Sequence, residues 1–68
     1  MSESLGAALP KLMSRVRDEI LPLYDAIPAG KFAALMIRKD LDAATKALAE
    51  GDVVAMLQAY ESLKGIKS

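Results

Sequence analysis

Asp18-Glu19, and Asp40 with Asp42, are the carboxylate pairs in this sequence whose spacing invites a search for acid–base chemistry. Two catalytic carboxylates must converge on one reacting group. On a helix, adjacent residues diverge by about 100° and residues two apart by about 200°, so neither pair forms a dyad by local geometry. The same residues lack the ligand density and loop spacing of a calcium site. The chain has no His and no Cys, which removes the commonest general base, the strongest nucleophile and the usual transition-metal ligands. Ser4, Ser14 and Ser62 have no base near them in sequence and read as solvated helix-surface residues. "AGK" at 29–31 matches only the tail of a phosphate loop, without the spacer, the second Gly or the Ser/Thr. No catalytic residue, cofactor, metal or small-molecule substrate is therefore expected, and the chain is not read as an enzyme.

Lys11, Arg15 and Arg17, with Arg38 and Lys39, are the basic clusters, and Asp18, Glu19, Asp40 and Asp42 are interleaved with them. Lys plus Arg equals Asp plus Glu at 9 each, whereas a non-specific nucleic-acid binder carries a basic excess. Nucleic acid is thus not the expected partner. The alternative reading is a nucleic-acid-associated regulator in which Arg15, Arg17, Arg38 and Lys39 touch backbone phosphates. Tyr24 and Tyr60 fall on apolar faces and read as packing rather than base-stacking residues. A chain without net charge also has little long-range repulsion to keep copies apart.

These residues must be positioned by helices. The chain is rich in Ala and Leu, strong helix formers, and little in it favours strands. From Leu5 to Ile27 the apolar residues Leu5, Leu9, Leu12, Met13, Val16, Ile20, Leu23, Tyr24 and Ile27 lie within about 60° of one line at helical spacing. Pro22 costs a backbone hydrogen bond and clashes with the carbonyl four residues earlier. The stripe keeps phase through it, which predicts a kinked helix over about residues 4–26 rather than a stop, with Pro10 as the alternative start. "IPAGK" punctuates the chain. A second helix follows over about 30–50, with Ala34, Ile37, Leu41, Ala44 and Leu48 as its seam. Arg15–Glu19 and Asp42–Lys46 are expected to pair at i,i+4. Gly51 suits a left-handed helix end and Asp52 a following N-cap, so "EGD" predicts a tight antiparallel turn. A third helix is expected over about 52–64, with Val53, Met56, Leu57, Tyr60 and Leu63 on one face.

The hairpin "DLDAATKALAEGDVVAMLQAYESL" resembles a single tetratricopeptide repeat in outline. The resemblance rests on the Gly51-Asp52 turn, small Ala44 before it and Tyr60-Glu61 after it, and covers about a third of the chain. Met56 and Ala47 depart from that pattern, at places where a small and an aromatic residue are usual. It implies two packed antiparallel helices and no peptide-binding role.

The expected fold is all-α: one small three-helix domain over 1–68, frayed at 1–3 and 65–68, pairing as a homodimeric helical bundle. The reason is an excess of apolar helix surface. Below roughly 70–80 residues a lone core supplies no more than about 3–5 kcal/mol, and disulfides, metals or partner chains make up the difference. Without Cys or His, a partner chain is what remains. "PAGKFAALMI" at 28–37 is apolar all round at the start of helix two, and leaving Phe32, Leu35 and Met36 in water forgoes about 1.5–3 kcal/mol each. A third helix of about 20 Å cannot cover a first helix of about 35 Å along its whole stripe. Leu5, Leu9, Leu12, Phe32, Leu35 and Met36 are therefore the expected interaction surface; the alternative is that Tyr24, Ile27, Leu63 and Ile66 of the same chain cover the start of helix two and make it monomer core. The expected role is that of a non-catalytic accessory or regulatory protein, its partners itself and another protein. The opening "MSESLGAALPKLM" lacks a basic n-region and an unbroken apolar core. Nothing approaches about eighteen consecutive apolar residues, and the expected location is cytoplasmic.

Overall fold

Pro22 shapes the first third of the molecule. In the computed structural model, which describes residues 3–66, the chain is helical without a break from Leu5 to Asp25. It runs through α1 (Leu5–Arg15), a π-helical turn (Val16–Ile20) and α2 (Leu21–Asp25). The Leu21 N–H donates to the Val16 carbonyl, five residues back instead of four. The wider turn ends where Pro22 lacks an N–H and its ring presses on the preceding turn. The sequence-predicted kink is therefore relieved by widening the helix. Pro10 lies inside α1, so the rod begins ahead of it, at extended Ser4.

That extra residue has a consequence for which side chains face inward. One residue added to a turn shifts the phase of everything after it by about 100°. Leu21, off the predicted stripe, is buried, whereas Leu23, on it, is exposed; Ile27, also on it, is exposed because the helix ends at Asp25 and Ile27 is extended. The same shift separates Arg15 from Glu19, and the expected pair is not formed. Arg17 Nε instead donates to Asp18 Oδ1 at 3.1 Å. Asp42 and Lys46 make no ion pair either, and both stand exposed.

The chain reverses through a 3₁₀ turn, Pro28–Gly30, into α3 (Lys31–Glu50). Gly30 is buried, and a Cβ on it would lie 2.6 Å from the Tyr24 carbonyl oxygen. Only a residue without a side chain lets the two backbones approach so closely. Arg38 Nη2 donates to Asp25 Oδ2 at 2.6 Å and ties α3 to the end of α2. Both partners are half exposed, so the bond contributes at most about 1 kcal/mol.

The second reversal is the one read from "EGD". Gly51 is left-handed at φ 66°. Its N–H donates to the Leu48 carbonyl and that of Asp52 to the Ala47 carbonyl, the paired bonds of a Schellman motif. Asp52 Oδ1 then accepts from the Ala55 N–H at 3.1 Å and caps α4 (Val53–Lys64). α4 therefore folds back antiparallel on α3. Gly65 and Ile66 are tied to the end of α4 through Glu61 and Leu63, and Glu3 pairs with Lys11. Of the fraying expected at 1–3 and 65–68, residues 1, 2, 67 and 68 lie outside the described residues.

Three helical rods thus share one core and no strand occurs among the described residues. The first contributes Leu9, Val16, Ile20 and Leu21; α3 contributes Ala34, Ile37, Ala44 and Ala47; α4 contributes Met56, Ala59 and Leu63. The alanines let α3 and α4 approach closely, and no polar or charged side chain is buried among the described residues. α4 packs on the α1 half of the first rod, and α3 lies against the α2 half. The length mismatch argued from sequence is resolved by this division. Leu9, expected on an uncovered surface, is wholly buried, and Leu5 and Leu12 are half-buried against the same core. None of the described helices is long and apolar enough to cross a membrane.

A candidate interaction surface

The first two turns of α3 place Ala34 and Ile37 inward, and helical geometry then carries Phe32, Leu35 and Met36 to the opposite side. Their relative exposures are 74%, 62% and 45%. Tyr24, Ile27, Leu63 and Ile66 were the side chains available within the chain to cover them. Leu63 is committed to the core and Ile27 is itself exposed. Tyr24 and Ile66 flank Phe32 and Met36 along an open groove of about 520 Å³, with Ile37 in the lining and Asp40 as its one charged residue. Leu35 lies on the other flank of α3, outside this groove. Leu23, rotated outward by the π turn, and Ile27, in the extended backbone after α2, add apolar surface around the neighbouring α2–α3 connection.

A second apolar patch was not read from the sequence. Val53, Val54 and Leu57 are exposed on the first turns of α4, whereas Val53 and Leu57 were expected to face the core. The inward face of α4 is Met56, Ala59 and Leu63, with Ala55 and Tyr60 beside it. Alanine carries little hydropathic weight, so a seam built on Ala59 is hidden behind the louder Val53–Leu57 spacing. Locating small residues opposite Ala44 and Ala47 was the signal that could have found it.

The basic residues are brought together only in part. Arg17 and Arg38 line one groove of about 410 Å³ between the first rod and α3, with Met13, Leu21, Leu41, Asp42 and Thr45. Each guanidinium is already engaged: Arg17 with Asp18 and the Ser14 hydroxyl, Arg38 with Asp25. The Thr45 hydroxyl donates to the Leu41 carbonyl. Arg15 and Lys39 are exposed but do not line this groove. A phosphate entering it would meet paired arginines and the Asp42 carboxylate, so the four candidate residues do not form a basic face.

Of the two carboxylate pairs, Asp18 and Glu19 are exposed within the π turn; Asp40 faces the apolar groove and Asp42 the arginine groove. Among the described residues no three acidic side chains gather closely enough to hold a metal ion. What the arrangement offers is apolar contact area on a rigid helix, bordered by charge. The chain matches no protein-family model, no curated protein and no solved structure.

Proposed function

We propose that this protein is a non-catalytic accessory or regulatory domain that works through protein–protein contact, first with a second copy of itself and then with another protein. The reading is carried by one observation. Phe32, Leu35 and Met36 stand in solvent on a helix whose inward face is already filled by Ala34, Ile37, Ala44 and Ala47. Contiguous exposed apolar surface of this kind marks a contact site. These three are the α3 half of the surface expected from sequence; Leu9 is committed to the core, and Leu5 and Leu12 are half-buried against it. A cytoplasmic location accords with this role.

Magnitudes favour a modest affinity. Burying these three side chains on both copies is worth on the order of 10 kcal/mol, and association costs about 4–15 kcal/mol. At the low end of that cost the surplus is about 6 kcal/mol, a dissociation constant on the order of tens of micromolar, and it weakens toward millimolar and beyond as the cost rises. Sedimentation equilibrium over that range is the test. The weight-average mass should rise from 7.3 kDa for the single chain toward twice that value. A mass fixed at the single-chain value throughout would overturn the self-association reading.

A further inference from the structure

The outer face of α3 carries a charge order that selects one way of pairing. At the three-and-four spacing of a helix seam it reads Phe32, Leu35, Lys39, Asp42, Lys46 and Ala49, and all six are exposed. Lys31 and Glu50 stand at its two ends, also exposed. We infer that two copies pair through this face as antiparallel α3 helices, with the two-fold axis passing between Asp40 and Leu41. The inference rests on the self-association proposed above and adds the partner surface and its register.

In that register residue numbers opposite one another sum to 81, and the face is complementary to itself. Lys39 meets Asp42 of the second copy, twice by symmetry. Lys31 and Glu50 of the second copy come to the same end of the pairing, on opposite edges of the seam. Phe32 lies over Ala49, large against small, and Leu35 lies along the aliphatic stem of Lys46. A length of about 30 Å, the whole of a 20-residue helix, is used on each side.

The register one turn further along, with Asp42 opposite Lys46, leaves Phe32 and Leu35 beyond the end of the second helix, and the register one turn back sets Phe32 on Asp42 and Leu35 on the Lys39 stem alone. Two other arrangements fail on charge. Centring the axis on Leu35 would stack apolar on apolar, but it sets Lys31 opposite Lys39 of the second copy, twice, with no carboxylate on that stretch of the face. A parallel pairing sets Lys39 on Lys39, Asp42 on Asp42 and Lys46 on Lys46. Like charges facing across an interface are the standard means of rejecting an arrangement. The antiparallel pairing centred between Asp40 and Leu41 avoids both conflicts.

The experiment uses Lys39→Glu and Asp42→Lys proteins, alone and mixed. Each variant alone faces like with like at both central positions, and its dimer dissociation constant should rise about tenfold or more. In an equimolar mixture every central position is again opposite in sign, so a heterodimer should form with near wild-type affinity. Each substitution also sets two like charges three residues apart within its own chain. That internal repulsion is not repaired by mixing, so recovery reports the contact between chains. Circular dichroism on each variant verifies its helices. As a second measurement, Phe32→Cys and Ala49→Cys proteins should form a disulfide-linked heterodimer on mild oxidation. A wild-type dimer with no recovery on mixing and no such cross-link would overturn the register while leaving self-association standing. A wild-type monomer would remove both.

Discussion

Leu9→Ala lowers the unfolding free energy by about 2–5 kcal/mol and, in a domain of this size, leaves much of the population unfolded at room temperature. The magnitude follows from position. Leu9 is wholly buried between α1 and α4, among the largest fully enclosed side chains of the core together with Val16 and Leu63. Truncating it opens a cavity that rigid helices on both sides cannot collapse to fill. Urea unfolding followed by helical ellipticity measures the effect. A loss below about 1 kcal/mol, with unchanged helicity, would return Leu9 to the surface where the sequence argument had put it.

Replacing Phe32 and Met36 together by Asp produces the opposite pattern. Association is weakened by about 100-fold or more, because Phe32 on the pairing face and Met36 at its edge are each exchanged for a charge in both copies at once. The fold of the single chain survives. Both side chains project away from the core, and an acidic residue near the start of α3 interacts favourably with the helix dipole. Ellipticity and urea midpoint should therefore stay close to wild type while the mass at high concentration falls to that of one chain. Loss of the helical signal would assign both residues to the core; an undiminished mass would move the contact elsewhere.

How far the sequence reached can be traced residue by residue. The Gly51-Asp52 turn was legible because its chemistry is local: a left-handed glycine and a side-chain cap act within a few residues. The seam of α3 was legible in its buried members Ala34, Ile37 and Ala44, since one unbroken helix keeps one phase. Beyond Val16 the same reasoning failed. Periodicity assumes a constant number of residues per turn, and the π turn ahead of Pro22 exchanged the roles of Leu21 and Leu23. α4 was misread because Ala59 is a quiet core residue and Val53 a conspicuous exposed one.

The candidate surface was half legible for a similar reason. Phe32, Leu35 and Met36 follow from the all-round apolar start of α3, which is a local property. Leu9 depended on which rod covers which, a question of tertiary arrangement that helix lengths alone do not answer. On helix lengths alone, α4 would have to cover the entire first rod. In the molecule α3 takes the second half, and the surplus apolar surface moves to the starts of α3 and α4.

The central claim is that the apolar start of α3 is open in one chain and closed by another. The chain has no Trp, so a Phe32→Trp protein carries a single indole at the most exposed point of the surface. On dilution from millimolar to below micromolar, its emission should shift to the red in step with the halving of the sedimentation mass. Emission that is red at every concentration, from a chain that never pairs, would contradict the account.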